Sequence, residues 1–338
     1  MTRGIIEQSA SEAVEVARLS TPQEALLSHM ELPFRGTFYP LGYPVEIITN
    51  ENAVLQAADE SFGHARLSRA SATLQVCIGV SKGTDSVCPP EPTRRQYNHL
   101  YSLVADAENQ ALLDLKLCVG SVWVKKAAVE NRLYFRYNFL EKTVYLLLGS
   151  SSVTDLHAAC VSKNGKGILL CGDSGAGKST LSYACARAGW TYTSDDTSYL
   201  INDSAVPRVI GHSHRMRFRP TARTLFRELE GRELTPRLEG KPSLEIPTSE
   251  FPGLITTVEA RVHSIVYLNR SPSGTGMLVP LPHGTATERM CKELYSAGEI
   301  RAKHEKILQV FSETPTYELH YRDLEHAIYQ LDRLARDV

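Results

Sequence analysis

Residues 168–196 read ILLCGDSGAGKSTLSYACARAGWTYTSDD. Within them Gly172, Asp173, Ser174, Gly175, Ala176, Gly177, Lys178 and Ser179 fit the phosphate-loop pattern G-x-x-x-x-G-K-[ST] at every fixed position. The flanks fit as well: the apolar run Gly167–Cys171 predicts a buried strand, and Thr180–Ala188 predicts the helix that follows it. Glycines let the backbone turn sharply and approach an anion without a Cβ in the way. Successive N–H groups and the positive end of the helix then form a concave site for phosphate oxygens. Lys178 adds a mobile charge for the β- and γ-phosphates, and the Ser179 hydroxyl suits Mg²⁺. Gly172–Thr180 is therefore expected to bind a nucleoside triphosphate.

Two neighbouring features bear on chemistry. Past the helix, Gly189 is the expected C-cap, and Trp190–Ser194 reads as a strand ending in Asp195 and Asp196. Phosphoryl transfer needs a metal that neutralises charge and a base that orients the nucleophile, and a carboxylate pair at that place can serve both. A solvated Asp-Asp turn at a strand end is the ordinary alternative. Ahead of the loop strand, Leu156–Ser162 reads as one strand and Asn164-Gly165 as a type I′ hairpin turn. That hairpin would bring His157 beside the loop or the aspartate pair, although a lone strand histidine is more often a satisfied core residue.

Farther out, strands are expected at Tyr199–Ile201, Val206–Ile210, Met216–Arg219, Val262–Leu268 and Pro315–Tyr321. Helices are expected at Thr221–Leu229, Ala286–Ala297, Ala302–Gln309 and Arg322–Arg336, with Gly231–Pro252 a charged, Pro-rich connection. The basic cluster His214–Arg219, with Lys241, can grip a phosphate or an acidic peptide, or can be a solvated basic strand. In the first half, residues 1–30 read as one or two helices, Asn50–Ser61 as a short helix and Thr73–Val80 as a strand. Residues 81–95 read as a Pro-rich polar loop. The runs Ala111–Val119, Ser121–Ala128, Arg132–Phe139 and Lys142–Leu148 predict an antiparallel meander. No catalytic motif stands out before residue 150.

Composition excludes some classes. The chain has 338 residues, 42% hydrophobic and 22% charged, as in a soluble globular protein long enough for two cores. With 37 Lys plus Arg against 38 Asp plus Glu, no global charge draws it to nucleic acid. It holds no run of 18 apolar residues and no signal-peptide core, so no membrane partner is expected. Cys77, Cys88, Cys118, Cys160, Cys171, Cys185 and Cys291 are scattered without CxxC spacing and read as reduced core residues of a cytoplasmic protein.

The order LHAACV, glycine turn, GDSGAGKST, helix, then Gly189 through SDD resembles the HPr kinase/phosphorylase family over about residues 153–200. In that family a histidine precedes the loop and an Asp-Asp stretch follows it. The ending PTYELHYRDLEHAIYQL is similar to HPr-kinase-like proteins encoded with peptide-maturation systems, such as lasso-peptide kinases. The resemblance implies an α/β, mixed-sheet phosphate-loop kinase domain related to phosphoenolpyruvate carboxykinase over residues 151–338; the α+β domain read over 1–150 is by default a plain structural sheet, with contacts to substrate or a second copy as the alternative. It implies ATP and Mg²⁺ as ligands and a homo-oligomer. Carried over by position, Asp195 would be the general base, Asp196 and Ser179 would hold Mg²⁺, and Lys178 the phosphates. His157 would pair with the base or the transferred phosphate. The Ile-x-x-Arg-Gly-x-Gly signature of the bifunctional enzymes is absent, and SLEIPTSEFPG (243–253) resembles it only superficially. The expected activity is transfer of the γ-phosphoryl group to a serine or threonine hydroxyl of a protein or peptide. The alternatives are a small-molecule kinase on the same fold and an ATP-binding regulatory module without efficient transfer.

Overall fold

The computed structural model describes residues 26–337 except 28, 70, 72, 84–86, 236–241, 272, 275 and 295. The expected helices over 1–30 and the candidate Lys241 lie wholly or mostly outside the described residues. The architecture is α/β, with mixed rather than purely parallel sheets.

The first sheet is built from β1 (Phe34–Phe38), β2 (Val45–Thr49), β3 (Leu74–Ser81), β4 (Thr93–Tyr97), β5 (Leu100–Val104), β6 (Gln110–Asp114) and β7 (Val119–Lys125). Their order is β1-β2-β3-β7-β6-β5-β4, with β2, β3 and β7 parallel and the other pairs antiparallel. Helix α1 (Asn52–Phe62) connects β2 towards β3 and buries Val54, Ala57, Ala58 and Phe62. The central strand β3, LQVCIGVS, is buried at nearly every position, which is how a strand covered on both faces reads.

The expected meander is displaced. Four consecutive antiparallel strands do exist, but they are β4 to β7; β4 begins within the Pro-rich stretch expected to be loop, and β5 follows it directly. The runs at Arg132–Phe139 and Lys142–Leu148 are helical instead. The chain passes through α2 (Lys126–Glu130), α3 (Arg132–Phe135), a π-helical turn (Arg136–Glu141) and α4 (Lys142–Ser151). Aromatic and β-branched residues made this stretch look like strand. Its buried positions decide the matter: Tyr134, Phe135, Asn138, Phe139, Thr143, Val144, Leu147 and Leu148 recur every three to four residues, a helical period.

The second sheet runs β16-β11-β9-β10-β17-β13-β12-β8. Its members are β8 (Val153–Leu156), β9 (Ala159–Lys163), β10 (Lys166–Cys171), β11 (Thr191–Ser194), β12 (Ser198–Ile201), β13 (Arg208–Gly211), β16 (Ile255–Thr256) and β17 (Glu259–Arg270), extended through β18 (Met277–Pro280) and β19 (Thr316–Tyr321). Between them, β14 (Arg215–Phe218) and β15 (Leu244–Pro247) form a separate ribbon. Helices α5 (Lys178–Arg187), α6 (Thr285–Glu293), α7 (Gly298–Leu308) and α8 (Leu324–Asp337) flank the sheet.

Two further expectations are corrected. Leu156–Ser162 is two strands, because β8 pairs with β12 while β9 pairs with β10 and β11; His157 and Ala158 form the break. Residues 221–229 are not one helix but two 3₁₀ turns, Pro220–Thr224 and Arg227–Leu229. The extended backbone at Phe226 interrupts them and sends its ring to within 4.8 Å of the Tyr183 ring. Among the described residues no helix is long and apolar enough to cross a membrane.

Candidate functional site

Strand register assembles the site. The Asn164-Gly165 turn has φ of 53° and 78°, as a type I′ hairpin requires, and it folds β9 back on β10 with Leu170 opposite Ala159. His157 lies in the break just before that pairing, and Lys178 Nζ joins its Nε2 to the Gly172 carbonyl, where the loop begins. On the other side of β9, β11 ends with Ser194 opposite Cys160, so Asp195 and Asp196 emerge at the same edge. The hydroxyls of Ser194 and Ser198 lie 2.6 Å apart, and Ser198 donates to the Ala158 carbonyl at 2.9 Å, tying the aspartate turn to the histidine bend. The loop itself leaves the carboxyl end of β10, parallel to β17, where α/β sheets ordinarily take ligands.

The loop conformation depends on glycine at Gly177, whose φ is +103°. A Cβ there would lie 2.5 Å from the Tyr321 hydroxyl. That hydroxyl donates to the Ala176 carbonyl at 2.9 Å, so the end of β19 props the loop from behind. Tyr321 was not singled out from sequence; no local signal marks it, since it meets the loop 145 residues away.

Lys178 is buried, and its ammonium folds back on the loop. It donates to the Gly172 carbonyl at 2.5 Å and the Asp173 carbonyl at 3.3 Å, and lies 3.0 Å from His157 Nε2. Burial lowers its pKa, against which the nearby Asp196 charge acts. An ammonium can only donate, so Nε2 of His157 accepts and Nδ1 carries the proton. Nδ1 faces Asp196 Oδ1 at 3.7 Å. The second Asp196 oxygen is 3.3 Å from Arg217.

Asp195 is held differently. Its Oδ2 accepts from the Arg217 backbone N–H at 2.6 Å, and its own carbonyl accepts from the Ser179 hydroxyl at 3.2 Å. The carboxylate is densely surrounded although part of its surface reaches solvent. Desolvation raises its pKa to about 6, opposed by the Arg217 N–H and helped by the adjacent Asp196 charge.

The basic cluster resolves by strand alternation. Met216 and Phe218 point into the aromatic cluster around Tyr183, Phe226 and Phe251, so Arg215 and Arg217 face the other way. Arg217 bridges Asp196 and Glu245, at 3.3 Å and 3.0 Å, rather than lying on a solvated face. Glu245 belongs to the 243–253 segment. A cavity of about 130 Å³ opens where Asp195, Asp196, Thr197, Arg217, Tyr145 and Tyr199 meet. Behind it, burial lowers the pKa of both His212 and His214, the latter to about 3, so these rings form a neutral wall.

The structure thus brings together His157, Lys178, Ser179, Asp195 and Asp196 around Gly172–Gly177, and adds Arg217 and Tyr321. No family model matches the chain, and no curated protein matches it. Among solved structures it is similar to the Hpr(Ser) kinase/phosphatase from Coxiella burnetii, at 12% identity, over 54% of this chain and 93% of that one, with a TM-score of 0.32.

Proposed function

We propose that this protein is an ATP-dependent kinase that transfers the γ-phosphoryl group to a serine or threonine hydroxyl of a protein or peptide. One observation carries the reading. A half-buried carboxylate, Asp195, stands at the mouth of a complete phosphate loop, its backbone carbonyl bonded to the Ser179 hydroxyl, beside a second carboxylate that faces His157 next to the loop lysine. A nucleotide-binding module without transfer has no need of a base at that place.

In this reading Gly172–Thr180 cradles the triphosphate, and Lys178 exchanges its loop carbonyls for phosphate oxygens. The donor set fits Mg²⁺. The Ser179 hydroxyl reaches the Asp195 carbonyl, one residue from the half-exposed Asp196 carboxylate, and this ion is commonly held by one or two carboxylates with phosphates and water. When bound, the ion neutralises charge on the transferring phosphoryl group. Asp195 accepts the acceptor's hydroxyl proton as the new O–P bond forms and the bridging O–P bond to ADP breaks. His157 and Arg217 orient Asp196. The second sheet and its helices form the catalytic part, and the first sheet faces the acceptor.

The test is phosphoryl transfer to serine peptides or lysate proteins, read by mass spectrometry, with nucleotide binding read by calorimetry. Asp195→Asn is expected to bind Mg·ATP as the wild type does and to lose about 10²–10⁴-fold in transfer rate. Lys178→Ala should lose both. Transfer undiminished in Asp195→Asn would remove the base assignment. Tight ATP binding with no phosphorylated product would leave the regulatory reading.

A further inference from the structure

The cavity at Asp195 and Asp196 does not end there. Tyr145, Thr197, Tyr199 and Arg217 also line a larger groove, about 570 Å³, that runs to the β4–β5 hairpin of the first sheet. At its far end stand Arg94 and Gln96 of β4, Tyr101 of β5, and Tyr137 and Lys142. Gln96 pairs directly with Tyr101, so Arg94, Gln96 and Tyr101 share the hairpin face that overhangs α4. Every residue of β4 is exposed, and β4 is the last strand of its sheet.

The charges along the groove are unequal. Lys142 Nζ is buried with no hydrogen-bond partner among the described residues, and only the Tyr137 ring lies over it, at 5.5 Å. Burial, with the Arg94 charge adding to it and Glu91 opposing, lowers its pKa to about 8. Glu91 is exposed and reaches Arg94 at 4.0 Å. Glu141, the carboxylate nearest in sequence, is occupied by Arg136 at 3.3 Å and the Ser61 hydroxyl at 2.8 Å. Asp155 lies exposed toward the catalytic end, where Arg217 is already held by Asp196 and Glu245. His304, on the wall from α7, is engaged by Ser296 and the Gly149 carbonyl. A buried ammonium without a counter-charge is costly unless a ligand supplies one.

We propose that this groove binds an extended acidic peptide segment, with a carboxylate on Lys142 and Arg94 and the acceptor hydroxyl at Asp195. An extended chain suits a groove bounded by an exposed edge strand, where backbone pairing adds affinity and alternate side chains supply specificity. The groove's role as the acceptor site rests on the kinase reading; its preference for acidic peptide does not.

The experiment uses the full chain and fluorescently labelled serine peptides that differ only by glutamate or glutamine at scanned positions. Anisotropy reads binding, and Mg·ATP-dependent mass gain reads transfer. Wild type is expected to bind the best glutamate peptide about tenfold more tightly than its glutamine twin, a factor worth about 1.4 kcal/mol. Lys142→Gln and, separately, Arg94→Gln should erase most of that preference, and Lys142→Arg should keep it. Preference that depends on Lys142 together with transfer supports both readings. Preference that depends on Lys142 without transfer keeps the groove and overturns the kinase. Equal affinity for both peptides, or a preference untouched by Lys142→Gln in a variant that melts like the wild type, overturns the groove whatever the transfer assay shows.

Discussion

Two buried ammonium groups, Lys178 in the glycine-rich loop and Lys142 on the groove that reaches Arg217, are satisfied in opposite ways. Lys178 has two loop carbonyls and an imidazole within 3.3 Å, with Asp196 close behind. Lys142 has no hydrogen-bond partner among the described residues and only an aromatic face near it. Burial lowers the pKa of both. A lysine that closes its own bonds stabilises the loop as it stands. One left open is a standing demand for an anion from outside. The difference separates a site carried by a local motif from one made by two distant parts of the chain.

The sharpest way to probe the two ends together is the pH dependence of kcat/KM with an acidic peptide. If Asp195 is the base it must be ionised, so the rate should rise through about 6, falling roughly tenfold for each pH unit below that. Lys142 must be charged, so the rate should fall again above about 8. The profile is expected to be a bell in which Lys142→Gln removes the alkaline limb and leaves the acid limb in place. Loss of both limbs, or neither, would mean that the two ends do not act as separate sites.

A smaller effect tests how rigidly the loop end is built. Gly177→Ala places a Cβ at positive φ against the Tyr321 hydroxyl and should cost about 1–3 kcal/mol in denaturant unfolding. Repeating the change in Tyr321→Phe should recover the part due to the clash and leave the part due to backbone strain. Full additivity would show that Tyr321 does not brace the loop.

The smallest expected effect is on stability and has opposite sign at the two ends. Lys178→Met strands two carbonyls and should destabilise by about 1 kcal/mol. Lys142→Met removes an uncompensated buried charge and should stabilise by about the same amount at pH 7. The folded pKa of Lys142 is depressed, so its charge weakens folding fully below about 8, and this penalty fades toward the ordinary lysine value of roughly 10.4. The gain from Lys142→Met should therefore vanish near pH 10.5, at the upper end of a thermal-melt series. Equal signs for the two methionine variants would erase the contrast.

The loop, the flanking strand and helix, the aspartate pair and the Asn-Gly hairpin were all legible because each is written in contiguous residues with a fixed physical demand. Positive φ wants glycine or asparagine, a phosphate cradle wants small residues and a cation, and a buried strand wants an apolar run. The stretch from Arg132 to Leu148 was misread because aromatic and β-branched residues suit either period, and only the buried set reveals which one operates. Phe226 could not be foreseen as a break either, since its backbone yields to a ring packing against Tyr183 from another helix.

The sequence by itself therefore determined a glycine-rich loop of the phosphate-loop pattern, the residue types beside it and the α/β class. The tertiary structure decided which of those residues meet. The register of β9 against both β10 and β11 sets His157 near Asp196, and the β14–β15 ribbon turns Arg217 onto the same carboxylate. It also carried Lys142, from the first half of the chain, to the far end of the cleft that reaches Asp195. Contacts of that kind arise from strand pairing and packing between segments far apart in sequence, and no local pattern encodes them.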